Sequence, residues 1–300
     1  HHRGIHSLPA TQARSRGRKA TNPDGTRCWV CNEGVTLNPT TIELDLIRIA
    51  WALGLAAVAI GLSLWQQLGL AGTLAIASLR TVVQLFAVGI FLSIVFTLRS
   101  PGIILLVLLV MTVVAALTAR NRISKDIPHL VFWLWGAILT STALTLTYTM
   151  TVVVRPELWY EPRYLIPLTG MVLGNALTAA SLTGERLVNA LRNYRTEIET
   201  HLSLGATPSQ AIATYRRDAI KAGLIPTVNS MMVVGLVTLP GMITGQILGG
   251  ADPLNAALYQ MLIMFMLAFA TLTTSILVAF SIKQQFFNQA MQLIDPKKRK

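Results

Sequence analysis

Long apolar stretches separated by short polar connections dominate the chain from residue 46 onward. A helix needs about 20 mainly apolar residues to cross a hydrocarbon core roughly 30 Å thick. The segments that meet this requirement are approximately 46–66, 71–97, 102–119, 131–154, 164–184, 224–249 and 256–282. They lack the strict alternation of barrel strands, and backbone groups in lipid must pair within their own segment. The pattern therefore predicts an all-α polytopic membrane protein with about seven transmembrane helices.

Composition and charge support this class and indicate an orientation. The 300 residues are 53% hydrophobic and 13% charged, whereas soluble domains have about 25% charged residues. The net charge is +12, and most bases lie in the connections after the third and fifth segments and in the C-terminal tail. Cytoplasmic loops carry such an excess. We therefore expect a multi-pass protein of the plasma (inner) membrane, with its N-terminus outside and its C-terminus cytoplasmic, and no nucleic-acid partner.

The chain divides into three regions. Residues 1–40 form a basic tail that we expect to be disordered, either a targeting peptide or a non-native extension. Residues 41–285 form the transmembrane domain, and residues 286–300 a basic cytoplasmic tail. The two cysteines, Cys28 and Cys31, lie in the first region. They give neither the four ligands of a structural zinc site nor a disulfide framework for the transmembrane domain.

The motifs of common enzymes and coupled carriers are absent from the sequence. It contains no G-x-x-x-x-G-K-[ST] phosphate loop, no H-E-x-x-H and no G-x-S-x-G, so no catalytic residue and no bound cofactor are predicted. Ion-coupled carriers usually keep an intramembrane carboxylate or histidine. Here only Glu185, at the edge of the fifth segment, approaches one. Uphill transport would therefore need energy from another subunit.

One basic residue, Arg80, lies near the middle of the second segment. An arginine at the centre of a membrane helix costs about 2.5–3.5 kcal/mol, so it should face protein or water. Gln84 follows one turn later on the same helix face. Both residues are candidates for a translocation path; the alternative is that Arg80 extends to an interface or bonds a neighbouring helix.

Neutral polar residues and regularly spaced glycines mark the fifth and sixth segments. Asn175, Asn229, Ser230 and Gln246 are further path candidates, and Pro240 is expected to interrupt its helix. Glycines four residues apart allow helices to approach closely. Those expected to serve in helix packing are Gly170, Gly174, Gly241, Gly245 and Gly249. These residues predict no defined metal-ligand set.

Residues 185–222 form the only long cytoplasmic connection. The sequence predicts a helix to about Leu204, a break at Gly205-Ala206-Thr207-Pro208, and a second helix to about Lys221. Leu202, Leu204, Ala211 and Ile212 should supply apolar contacts around the break. The segment is either a solvated loop or a docking element for a soluble partner.

This connection and three other stretches carry a family resemblance. Residues 199–208 (ETHLSLGATP) resemble the EAA-type coupling segment of ABC transporter permeases. Residues 79–85 (LRTVVQL), 174–176 (GNA) and 229–248 (NSMMVVGLVTLPGMITGQIL) resemble the FetB/YbbM family of ABC permease subunits. That family is linked to iron export and related to plant aluminium-tolerance permeases. The similarity covers about residues 45–282.

The resemblance implies a division of labour between subunits. A FetA-like cytoplasmic ATPase would bind ATP, and two permease chains would join two ATPases. Glu199, Gly205, Ala206 and Pro208 would couple the permease to the ATPase, and the exported cargo would be a metal ion, with iron first. The sequence leaves open a stand-alone channel or facilitator, and an ABC permease for a nucleotide sugar or a metal chelate.

Overall fold

The computed structural model describes residues 46–98, 100–124, 127–155, 161–288 and 290–294; the predicted N-terminal region, with Cys28 and Cys31, lies outside them. These residues form ten α-helices. They are α1 (Leu46–Trp65), α2 (Ala71–Leu98), α3 (Pro101–Ile123), α4 (Leu130–Tyr148), α5 (Pro162–Asn193), α6 (Arg195–Ser203), α7 (Pro208–Ala211), α8 (Ala213–Val233), α9 (Gly241–Leu248) and α10 (Pro253–Phe286). A π-helical turn, Thr149–Val154, extends α4.

The structure confirms an all-α polytopic protein but not a count of seven spans. Five helices of the described chain are long and apolar enough to cross a membrane. They comprise Ala71–Ser93, Pro101–Ile123, Leu130–Val154, Tyr164–Asn193 and Pro253–Phe286. Helix α1 contributes a shorter apolar stretch, Leu53–Trp65. The predicted sixth segment, 224–249, is not one helix, because it is divided between α8, a turn and α9.

The turn between α8 and α9 explains this correction. The helix ends at Val233, and Gly235 follows with a φ of 83°, a conformation that glycine adopts without a Cβ penalty. The Val233 carbonyl accepts hydrogen bonds from the backbone N–H groups of Val237 (3.0 Å) and Thr238 (3.3 Å). Pro240, whose ring fixes its φ, then precedes α9 as its N-cap residue. Pro240 therefore lies at an interruption, as predicted, but the helix ends seven residues earlier.

Two hydrophobic clusters hold the bundle, one at each end. Helix α5 packs against α3, α4, α8 and α10, so it lies at the centre. One cluster joins α5 to α6 and α7 at the end that carries most bases, which we call the basic end; its fully buried members include Leu187, Leu191, Ile198, Ile212 and Ile282. The other cluster marks the distal end and includes Val95, Ile104, Leu165, Val172 and Met266.

Helices α1 and α2 form a hairpin at the periphery. They pack against each other, and α2 reaches the bundle through Val95 in the distal cluster and a small contact with α5. The other described side chains of α2 are almost all exposed. The exposed face of α2 is thus a membrane-length surface that contacts no other helix among the described residues.

Two glycines that the sequence did not single out make the closest helix approaches. A Cβ at Gly223 of α8 would overlap the Thr183 hydroxyl of α5 and would lie 2.7 Å from the Ser275 hydroxyl of α10. It would also lie 3.1 Å from the Ala179 carbonyl oxygen. A Cβ at Gly184 would overlap the Ile123 side chain of α3. These contacts fix the distances between α5 and its neighbours.

We expect Gly223→Ala to destabilise the bundle, because the added methyl group meets both a hydroxyl and a backbone carbonyl. Overpacking of this kind costs about 1–3 kcal/mol. Gly136→Ala in α4 is the matched control, since a Cβ there has no atom within 4 Å and alanine favours a helix. Thermal unfolding in detergent should show a lower Tm for Gly223→Ala alone. Equal Tm values for the two variants would contradict the packing described.

Candidate functional site

An ordered two-helix element, α6 and α7, projects from the basic end. It is fixed to the bundle by Ile198 of α6 and by Ile212 after α7, both fully buried. Lys283 of α10 donates a hydrogen bond from Nζ to Ser209 Oγ of α7 at 3.1 Å. The element is therefore a packed part of the fold and not a solvated loop.

The break between α6 and α7 has a defined backbone geometry. Gly205 adopts a φ of 90°, and its N–H donates to the Leu202 carbonyl at 3.0 Å while the Ala206 N–H donates to the His201 carbonyl at 3.1 Å. This pair of bonds is the Schellman motif, which ends helices at a left-handed residue, usually glycine. The Thr207 N–H then donates to Gln210 Oε1 at 2.9 Å, and Pro208 begins α7. The sequence predicts this break correctly.

Two tyrosines join α6 to α8. Tyr194 precedes α6, and its ring stacks on Tyr215 of α8 with centroids 5.0 Å apart. Glu197 of α6 lies beside the Tyr215 side chain. Burial raises the pKa of Tyr215 to about 12, and the nearby Glu197 carboxylate adds to this rise. Tyr215 therefore stays protonated at physiological pH.

Three of the four predicted coupling residues line one groove. Glu199, Gly205 and Ala206 form one wall of a groove of about 670 Å³, and the C-terminal segment 290–294 forms the other. Glu199 Oε1 accepts a hydrogen bond from Arg195 Nε at 2.7 Å, with both side chains about half exposed. Such a pair is worth about 0.3–0.5 kcal/mol. Pro208 starts α7 and does not line the groove.

Leu204 differs from its prediction. Leu202, Ala211 and Ile212 pack around the break as expected. Leu204, the C-cap residue of α6, instead has 80% of its surface exposed. An exposed leucine beside a groove is a candidate contact for a partner.

A mostly polar stripe runs along one face of α5 toward the same element. It consists of Asn175, Thr178, Glu185 and Asn189, each at least partly exposed, with the half-buried Leu182 between the two pairs. Spacings of three and four residues keep all five on one helix face over about 21 Å. The sequence singled out Asn175 and noted Glu185. Asn189 was missed because the predicted segment ended at residue 184, whereas α5 continues beyond it.

Other path candidates fall into three separate places. Asn229 and Ser230 are exposed on α8, which packs against α5. Arg80 and Gln84 are exposed on α2. Gln246 lies on α9, and its Oε1 is buried without a hydrogen-bond partner in the described chain. One chain therefore does not bring the six candidates together, and their role in a path stays a prediction.

The glycines assigned to helix packing have few contacts in one chain. A Cβ at Gly170 would lie 3.6 Å from Met111 of α3. At Gly174, Gly241 and Gly245 it would meet no atom within 4 Å, and at Gly249 only carbonyl oxygens of α9. Close helix packing at these four positions stays a prediction.

A metal-ligand set also stays undefined. Within the described residues, no group of three or more His, Cys, Asp or Glu side chains could hold a metal ion. The α5 stripe offers neutral oxygens and one carboxylate instead.

The fold and this element define a polytopic all-α membrane protein with an ordered projection at its basic end. Residues 46–287 match the model of UPF0014, described as an uncharacterised protein family. The chain belongs to this family. No solved structure matches it significantly.

Relatives support the resemblance seen in the motifs. The chain is 54% identical over 253 residues to UPF0014 membrane protein slr1647 of Synechocystis, covering 84% of this chain and 98% of that protein. It is 35% identical to the Escherichia coli protein named probable iron export permease protein FetB, covering 82% and 93%. It is also 35% identical to protein ALUMINUM SENSITIVE 3 of Arabidopsis thaliana, covering 83% and 89%. The predicted relationship to FetB and the plant permeases is confirmed.

We expect Tyr215→Phe to loosen α6 without releasing it. The variant loses the interaction of the Tyr215 hydroxyl with Glu197 but keeps the ring stacked on Tyr194. Tyr215→Ala loses both contacts. Hydrogen exchange of the α6 amides should be faster in Tyr215→Phe and faster still in Tyr215→Ala, with α10 amides unchanged. Equal rates of α6 amide exchange in the wild type and both variants would contradict the described contacts of Tyr215 with α6.

Proposed function

We propose that this chain is the membrane-spanning subunit of an ATP-driven transporter and that a separate cytoplasmic ATPase, FetA-like, docks on α6 and α7. The observation that carries the proposal is the ordered break at Gly205, with Leu204 exposed at its tip and Glu199 in the adjoining groove. A solvated connection would not need two buried anchors and two helix caps. An exposed apolar tip on a rigid base suits a protein partner.

The element is placed to transmit movement into the membrane. Helix α5 leads into α6 through Tyr194 alone, and α8 begins two residues after α7 ends. Because Ile198 and Ile212 hold the element to both helices, a displacement of α6 and α7 by ATPase closure would move α5 and α8 together. Rigid-body movement of packed helices is a common transport step. The α5 stripe would move with them.

The charge distribution supports the orientation of this subunit. Arg120 and Arg122 end α3, Arg216 and Arg217 begin α8, and Lys283 lies in the last turn of α10, all at the basic end. Positive residues mark the cytoplasmic side. We therefore place α6, α7 and the C-terminus in the cytoplasm, the N-terminus outside, and the protein in the inner membrane. Two permease chains would pair with two ATPases.

A metal ion is the proposed cargo, and iron is the leading candidate. A relative named as a probable iron export permease supports this choice, and the oxygen atoms of the α5 stripe suit hard cations. The same neutral groups suit a metal chelate or a nucleotide sugar. Comparison of free iron, chelated iron, aluminium and a nucleotide sugar as stimulators of ATP hydrolysis by the reconstituted complex would identify the cargo class.

We expect Gly205→Val to uncouple transport from ATP hydrolysis. A β-branched residue at a φ of 90° is strained, so the turn that presents Leu204 should distort. Iron export from liposomes holding the permease and its ATPase should fall at least tenfold. Gly205→Asn is the matched control, since asparagine tolerates this conformation and should retain most activity. Both variants should insert into the membrane in wild-type amounts.

One outcome would overturn the proposal in favour of a stand-alone channel or facilitator. Liposomes that contain only this chain should show no iron flux above protein-free liposomes. If they show the flux of the full complex, with or without ATP, the ATPase is not needed for transport.

A further inference from the structure

Helix α2 presents a polar face that a lone chain cannot satisfy in a bilayer. Thr73, Ala77, Arg80, Gln84 and Ala87 recur at helical spacing on one face of α2, and all are exposed. Among the described residues, the Arg80 guanidinium has no ion pair or hydrogen bond. Lipid contact at this residue would cost about 2.5–3.5 kcal/mol. The small neighbours would let another helix approach closely.

The α5 stripe has the opposite charge and is also uncovered. Glu185 is exposed, and no cation of the described chain pairs with it. Asn175 and Thr178 continue the stripe toward the distal end with half-exposed side chains. One surface thus carries an unpaired cation and the other an unpaired carboxylate.

The two surfaces also match in height. Val95 of α2 and Leu168 of α5 pack in the same distal cluster, which gives a common reference level. At a rise of 1.5 Å per residue, Arg80 lies about 22 Å from this level along α2, and Glu185 lies about 26 Å from it along α5. Gln84 and Thr178 lie about 16 and 15 Å from it. On this scale Arg80 lies within about one helical turn of the height of Glu185, and Gln84 within about one turn of Thr178.

We propose that the α2 face of one copy packs against the α5 stripe of a second copy, with Arg80 opposite Glu185. Both surfaces are exposed in a single chain, and α2 touches α5 only near the distal cluster, so the complementary surface belongs to another molecule. A two-fold axis makes the contact reciprocal, so that each pair of chains holds two Arg80–Glu185 ion pairs.

This contact would assemble the scattered path candidates. Arg80 and Gln84 of one chain would face Asn175, Thr178 and Glu185 of the other, forming one polar surface between the copies. The inference rests on the proposed pairing of two permease chains and specifies the surface through which they pair.

The test reverses charges in separate chains. Chains with two different affinity tags are co-expressed, and the fraction recovered through both tags in detergent measures pairing. Arg80→Glu in both chains, or Glu185→Arg in both chains, should lower this fraction at least tenfold, because each contact then joins like charges. In a mixture of an Arg80→Glu chain with a Glu185→Arg chain, both contacts join opposite charges, one as the wild-type Arg–Glu pair and one with the charges exchanged. The fraction recovered should therefore rise above that of either variant alone. Arg122→Glu, the same charge change at an exposed position of the basic end, should leave pairing unchanged.

The double variant Arg80→Glu/Glu185→Arg completes the set. With both changes in every chain, each contact again joins opposite charges, so this variant should pair as the wild type does. Recovery of the double variant together with the mixed pair is the pattern expected of a contact between chains.

Three outcomes would overturn the proposal. The first is a mixed pair that is no better than either variant alone. The second is recovery of the double variant without any gain in the mixture, which would place the contact within one chain. The third is a failure of wild-type chains to pair at all. ATP-driven export by the same wild-type preparation reports on the proposed function separately, so loss of pairing with intact export would reject this contact alone.

A neutral second measurement covers the case in which reversed charges prevent insertion. In chains with Cys28→Ser and Cys31→Ser, a Gln84→Cys chain mixed with a Thr178→Cys chain should form a disulfide-linked pair on oxidation. Leu85→Cys, on another face of α2, should not link to Thr178→Cys. Equal yields from the two mixtures would reject the predicted register.

Discussion

Hydrocarbon offers no hydrogen-bond partner to a polar group, and this constraint decides both the regular and the irregular parts of the fold. Inside the bundle, hydroxyl groups return to the carbonyl one turn earlier: Thr145 Oγ1 donates to Ser141, and Thr169 Oγ1 to Leu165, at 2.7 and 2.6 Å. Ser141 Oγ donates across helices to the Ala270 carbonyl at 2.8 Å. Where the helix breaks after Val233, the Val233 carbonyl accepts hydrogen bonds from several backbone N–H groups of the turn. Charged side chains are instead kept at the helix ends or on exposed faces, as Arg80 and Glu185 are.

Helix α5 combines a buried apolar face with a polar face that leads toward α6 and α7. One of its faces is buried through Val172 and Leu187 in the two clusters, and the opposite face carries the stripe from Asn175 to Asn189. The same helix continues past the apolar segment to Asn193, next to the two-helix element of α6 and α7. Only Tyr194 separates α5 from α6, and its ring stacks on Tyr215 of α8, so a movement applied at α6 has a short path to the stripe.

The predictable features are those that local chemistry decides. Apolar length predicts most helices, and Gly205 followed by Pro208 predicts the break between α6 and α7, because few other residues allow that turn. The end of α5, the early end of α8 at Val233 and the exposure of Leu204 depend on tertiary contacts that periodicity does not record. The same holds for Gly223, whose importance lies in the Thr183 and Ser275 hydroxyls that approach it from distant segments.

A single chain leaves two kinds of group in unfavourable surroundings, and they call for two partners. Leu204 is apolar and 80% exposed at the basic end, where water makes its burial worth about 1.5–3 kcal/mol. Arg80 is charged and exposed on a membrane-length helix, where lipid penalises it by a similar amount. No one surface can cover both, because the first needs an apolar contact in water and the second a polar contact in the membrane. The two proposed partners, a soluble protein at α6 and α7 and a second membrane chain at α2, would meet these two needs separately.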